Sequence, residues 1–230
     1  MNSVPFAFFD SVTRLINAKF LAPCRCLSGL IGAVASETHQ KSAREDVVII
    51  NGKLRSRSYR GRHHEDPIAS MNPNYKCGTF FHFQATKKDY SSNNETVKLF
   101  VGYRNVHEIL LFFYSSTISK EIDAGIDQLK YVAALVFTAG SAELIPRLMQ
   151  QFVPKQTLSV LFLGLDFKID SATATLLVAL LKQDQFRWAS LPPNSALTLK
   201  KIIAVWKKSP QNFVGKIIYS GMTPDAPALP

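Results

Sequence analysis

His63, His64, Cys77 and His82 are metal-ligating types within twenty residues, and the chemistry they suit is a zinc site. Their spacing does not fit one: there is no C-x2-C or H-x3–5-H pair, and adjacent histidines in a strand point to opposite faces. Cys24 and Cys26, two apart, fall on different sides of a helix and are expected to be small buried hydrophobes. His107-Glu108 opens like a zincin helix but has no second His four residues after the first. Gly215-Lys216 lacks both the leading Gly and the following Ser/Thr of a P-loop, and neither G-x-S-x-G nor G-x-G-x-x-G occurs. The expectation is therefore no enzyme, no metal and no cofactor. Lys53, Arg55 and Arg57 alternate, and a period of two would set all three on one strand face, with Arg60 and Arg62 extending the patch. Such a row suits phosphate contacts, salt-dependent and largely blind to sequence. Tyr59 is the only aromatic among these cations, whereas single-strand binders offer several stacking rings. The same charges suit an edge strand guarded against aggregation.

The chain that must position these residues has 230 of them, 47% hydrophobic and 19% charged. Its 27 Lys+Arg and 17 Asp+Glu leave a net charge of +10. Chains of this size bury roughly 70% of their surface and need no covalent staples. Three cysteines are too few for a disulfide framework, which favours a reducing compartment. The opening MNSVPFAFFD has no basic n-region, and Asp10 stops its apolar run early, so a secretory signal is not expected. That leaves the Asn94-Glu95-Thr96 sequon without meaning. The apolar runs at 109–114 and 158–165 fall far short of the about 18 residues a membrane span needs. The expected location is cytoplasmic or nuclear.

Three textures follow one another along the chain. Residues 4–36 are apolar, broken at Pro23, and suggest two or three short helices, the first with Phe9, Val12, Leu15 and Ile16 on one stripe. Residues 47–50, Asn51-Gly52 and residues 53–59 read as a β-hairpin with a type I′ turn. Residues 60–78 carry Gly61, Pro67, Pro73 and Gly78 and read as loop, and β-type stretches follow at 79–84 and 97–103. Beyond about 104, strand candidates at 131–137, 158–165, 186–191 and 216–219 centre on Leu135, Leu161, Trp188 and Ile217, at separations of 26, 27 and 29. Helices are expected between them at 143–153, 171–183 and 196–208, the last two opened by N-caps at Asp170 and Ser195. In the last helix Leu199, Ile202, Ile203 and Trp206 share one side. One strand-helix unit cannot cover its own apolar face but stacked units can, so this period predicts a parallel-stranded solenoid or arc. The Pro-rich tail from Thr223 is expected to be disordered.

The opening VPFAFFDSVTRLINAKFLAPCRCLSGLIGAVASE resembles a divergent F-box. Together with the hairpin and the degenerate repeats, it is similar to the nematode-type F-box-like proteins with an associated, leucine-rich-repeat-like C-terminal region. By position, Val4 and Pro5 match the F-box's opening dipeptide, and Phe8, Phe9, Val12, Leu15 and Ile16 its first helical stripe. The aromatic near the end of an F-box is missing, as no Trp precedes Trp188. The resemblance implies an α/β chain of four parts: F-box-like helices over 1–42, a small β-rich middle region over 43–104, irregular parallel strand–helix repeats over 105–222, and the tail 223–230. It also implies a substrate receptor whose N-terminal helices dock on the adaptor subunit of a cullin-type ubiquitin ligase while the repeats hold a protein client, with no cofactor. The alternative is a basic nucleic-acid-binding protein using the 53–62 face.

Overall fold

A computed structural model describes residues 26, 28–41, 43–60, 76–86, 94–104, 106, 108–138 and 143–221. Helix α1 (Gly29–Lys41) leads into strands β1 (Ala43–Ile50), β2 (Lys53–Arg60) and β3 (Lys76–Gln84). There follow α2 (Asn94–Tyr103), β4 (Ile109–Phe113), α3 (Lys120–Asp127), β5 (Val132–Phe137), α4 (Leu144–Phe152) and β6 (Val160–Leu163). The chain closes with α5 (Ser171–Leu181), β7 (Trp188–Leu191), α6 (Ala196–Lys208), a 3-10 turn (Pro210–Phe213) and β8 (Ile217–Ser220). All eight strands form one sheet in the order β2-β1-β3-β4-β5-β6-β7-β8. Only β1 and β2 are antiparallel; every other neighbouring pair is parallel.

The hairpin forms for the local reason expected: Asn51 and Gly52 both take positive φ, 48° and 73°, as a type I′ turn requires. The repeat period also appears as a ladder, with Leu135 beside Leu161 and Trp188 beside Ile217. The structure is thus an α/β fold on a mostly parallel sheet whose late strands follow in chain order. The same sheet runs without a break from the hairpin through β3 into β4 and the repeats.

Because parallel crossovers are right-handed and the strands follow in sequence, the connecting helices all lie on one side of the sheet. The continuous core forms between the two layers. Strand residues Val47, Ile49, Phe81, Phe83, Leu111, Phe113, Leu135, Phe137, Leu161 and Leu163 meet Phe100, Ile122, Ile126, Leu148, Leu177, Leu180 and Ile202 of the helices. Successive repeats stack like on like: Phe83 and Phe113, and Phe113 and Phe137, lie with ring centroids 5.0 Å apart. Each fully buried ring is worth about 1.5–3 kcal/mol by transfer alone.

Polar ties hold one repeat to the next beyond the helix ends. The Lys155 ammonium donates to the carbonyls of Asp127 and Leu129, 3.2 and 2.9 Å away. The Gln183 amide donates to the Val153 carbonyl at 2.6 Å, and Lys216 in turn donates to the carbonyls of Gln183 and Phe186. Carbonyls left over at helix C-termini are thereby paired. At the strand ends the repeats approach closely: a Cβ on Gly164 would stand 2.8 Å from the Phe137 carbonyl oxygen, and backbone cannot move aside. Gly164→Ala is expected to cost about 2 kcal/mol, seen as a lower urea midpoint at unchanged m-value; an unchanged midpoint would show that the repeats can slide apart there.

Several expectations are corrected. Residues 97–103 belong to a helix: Thr96, Phe100 and Tyr103 are buried at spacings of four and three, while Val101, whose β-branched type suggested a strand, is exposed. Strand β4 and helix α3 had not been anticipated. Asp170 caps α5, accepting from the Thr173 amide at 2.7 Å, but Ser195 donates its hydroxyl to the Pro192 carbonyl at 2.6 Å and makes no cap bond. Cys26 is exposed, not buried. Cys24 lies outside the described residues, as do His63, His64, His107 and the tail.

Candidate functional site

The cation row does not form on one face. Strand β2 bulges, so that Val48 pairs with Ser56 and the next residue, Ile49, with Leu54. The extra residue, Arg55, breaks the period of two. Arg57 stands opposite Val47 on the helix-covered face, whereas Lys53 stands opposite Ile50 on the other. Arg57 is also engaged: its Nε donates to Glu45 Oε1 at 3.0 Å and its Nη2 to the Tyr103 hydroxyl at 2.6 Å. That hydroxyl donates in turn to Glu45 Oε2. Burial, and then the Glu45 carboxylate, hold the Tyr103 phenol protonated, well above its usual range. Arg60 ends β2, and Arg62 lies outside the described residues. Strand β2 is an edge strand, the position in which charge and a bulge discourage further pairing.

The sheet face away from the helices presents a different set of side chains. Register aligns Phe80, Leu110, Ala134, Val160, Trp188 and Ile217 in one row across β3 to β8. A second row holds His82, Phe112, Val136, Phe162, Ser190 and Tyr219. The rings stack between strands: Phe80 with Phe112 at 5.9 Å, His82 with Phe112 at 4.9 Å, Phe162 with Trp188 at 6.1 Å, and Trp188 with Tyr219 at 5.9 Å. The middle of these rows is covered, with Ala134, Phe162, Trp188 and Ser190 all buried, and the face reaches solvent mainly at Tyr114 on one side and at Ile217 and Tyr219 on the other.

Within that surface sits one polar cluster that sequence reasoning missed. His82 Nε2 lies 3.2 Å from Asp46 Oδ1, and His82 Nδ1 lies 3.1 Å from the Tyr114 hydroxyl. With the Nε2 proton on the carboxylate, Nδ1 accepts from Tyr114. The three groups follow in the order carboxylate, imidazole, hydroxyl. Burial first, and then the Asp46 charge, push the Tyr114 phenol up. The cluster fixes the orientation of the His82 and Tyr114 rings. Residues 46, 82 and 114 stand 36 and 32 apart in the chain, and no motif links them.

Among the described residues no group of three or more His, Cys, Asp or Glu could hold a metal ion, and no helix is long and apolar enough to cross a membrane. Val4, Pro5, Phe8, Phe9, Val12, Leu15 and Ile16, the expected adaptor-docking residues, lie outside the described residues. Comparison with family models, curated proteins and solved structures yields no match to this chain.

Proposed function

We propose that this chain is a non-enzymatic protein-binding adaptor that holds a protein client on its repeat region, at the exposed parts of the sheet face opposite the connecting helices. The observation that supports the reading is the exposure of Tyr114 and Tyr219, each stacked or tilted against a neighbouring ring, at the two sides of the face that the sequential parallel strands β3 to β8 align. A stacked-repeat surface of this kind offers a broad contact area, and aromatic anchors supply most of the affinity in protein interfaces. The fuller form of the proposal is an F-box-like substrate receptor, with Val4, Pro5, Phe8, Phe9, Val12, Leu15 and Ile16 engaging the adaptor subunit of a cullin-type ubiquitin ligase; it rests on the sequence resemblance. The nucleic-acid alternative is weakened because Arg57 is spent on Glu45 and Lys53 points to the other face.

Two measurements test this. A photo-crosslinker at Tyr114, on the sheet face opposite the connecting helices, should capture a client in cells, whereas one at Lys182, beyond the end of α5, should not; equal capture at both would remove the face from consideration. In parallel, the chain should co-elute with the adaptor subunit at high salt, and Phe8→Ala with Phe9→Ala should abolish co-elution at an unchanged unfolding midpoint. Failure of the unaltered chain to co-elute would end the ligase reading and leave client binding standing.

A further inference from the structure

The two ends of the sheet are finished differently. At one end β2 is charged and bulged. At the other, β8 contains neither a charged residue nor a proline, and no element among the described residues pairs with its outer edge. The amides of Ile217 and Gly221 donate to the carbonyls of Arg187 and Leu191, at 2.8 and 3.0 Å. Strand alternation therefore turns the N–H and C=O of Ile218 and Ser220 outward. Lys216 does not guard this edge, since its ammonium is turned back onto the Gln183 and Phe186 carbonyls.

The helix beside that edge is equally uncovered. Helix α2 packs on α3, α4 on α5 and α5 on α6, whereas among the described residues only the short 3-10 turn packs beyond α6. The side that the sequence assigns to the core is only partly buried there: Ile202 is covered, whereas Ile203 and Trp206 are each 48% exposed. Val214 follows at 75%, and Ile217 and Tyr219 at 41% and 40%. A terminal repeat normally closes an array with a polar outer face; this one does not.

Charge indicates what would cover it. Residues 185–221 include Arg187, Lys200, Lys201, Lys207, Lys208 and Lys216 and no Asp or Glu. Lys200 and Lys207, seven apart, share a helix face with Ile203, while Lys201 leans back toward Ser171 at 3.4 Å. A second copy docked here by two-fold symmetry would bring the lysines of α6 face to face, with Asp184, beside Lys216, the carboxylate nearest in the chain.

We propose that this end of the sheet binds an extended acidic segment of another protein, which adds a ninth strand along β8, lays apolar side chains on Ile203, Trp206 and Val214, and sets carboxylates near Lys200 and Lys207. The mode is β-augmentation, in which backbone bonds give affinity and side-chain pockets give selectivity. The site shares Ile217 and Tyr219 with the rows on the sheet face opposite the connecting helices, but the outer edge of β8, Ile203, Trp206, Val214 and the lysines belong to it alone.

The test uses the full chain and a fluorescein-labelled peptide of alternating Val and Glu, with a Lys-for-Glu peptide and a proline-interrupted Val-Glu peptide as controls. By fluorescence anisotropy the acidic peptide should bind about tenfold or more tighter than either control, and more weakly as salt rises. Ser220→Pro removes an outward amide and leaves the ladder to β7 in place, so it should weaken binding about tenfold, whereas Ser220→Ala, which loses only the hydroxyl bond to the Pro192 carbonyl at 3.2 Å, should bind like the parent. Should Ser220→Pro fail to fold, Lys200→Glu with Lys207→Glu carries the test and should weaken binding by a similar factor. Equal binding of the acidic and basic peptides, indifference to Ser220→Pro or to the paired lysine substitutions, or a dimer in light scattering that Ser220→Pro dissolves would each overturn the proposal.

Discussion

Arg57→Ala is expected to destabilise the fold by about 3 kcal/mol, because it strands a carboxylate in the core. The Glu45 side chain is fully buried on the helix-covered face of β1, and Arg57 Nη2 lies 2.9 Å from its Oε1. The Tyr103 hydroxyl serves the other oxygen but carries no charge. An exposed ion pair of the same geometry would matter little, since water screens it; here one partner has no access to water. The measurement is urea unfolding, read as a lower midpoint at constant m-value. Adding Glu45→Gln to Arg57→Ala should recover a large part of the loss, since the neutral amide no longer needs the cation. A single-variant loss below about 1 kcal/mol would mean that the carboxylate finds water or a proton when the guanidinium leaves. The same variant should leave polyanion binding unchanged, as Arg57 already has its partners.

A second large effect concerns pH. Glu108, just ahead of β4, is mostly buried, and burial pushes its carboxyl up from the usual 4.5 to about 7. Its backbone is held there, with the Glu108 carbonyl accepting from the Thr79 amide at 2.9 Å. Between pH 4.5 and 7 the folded chain keeps a proton that the unfolded chain has released, so stability falls as pH rises through that window and levels off above it. The shift corresponds to about 3 kcal/mol, discounted to about 2 kcal/mol for the side chain's partial exposure. Glu108→Gln should therefore raise stability at pH 8 and run closer to the parent at pH 5. Unfolding midpoints of the two proteins across this range decide the matter, because the background titrations cancel in their difference. Parallel curves would show the carboxylate to be solvated.

Some of this molecule is legible from neighbours in the chain. Asn51-Gly52 specifies its turn through two residues that tolerate positive φ, whatever surrounds them. Asp170 caps α5 with its own side chain. The repeat carries through to the ladder, where paired residues stand 26, 28 and 29 apart against the 26, 27 and 29 read from the chain, because each strand-helix unit must bury the next one's apolar face. Other features mislead at short range. In α2, Val97 and Val101 suggested a strand, yet the buried residues Thr96, Phe100 and Tyr103 follow helical spacing. The ILLFF run of β4 has no periodicity to separate strand from helix, and its parallel neighbours settle the question.

The sites belong to the second kind. An alternation of Lys53, Arg55 and Arg57 implies one face only if the strand is regular, and a single bulge reverses that implication. Glu45 meets Tyr103 across 58 residues, and Asp46 meets His82 across 36, through strand register and helix placement. Turn chemistry, capping and repeat length are local energies, carried by a few adjacent residues and therefore readable in the chain. Which side chains end up facing one another depends on pairings between distant segments, where one inserted residue turns a side chain from one face of the sheet to the other.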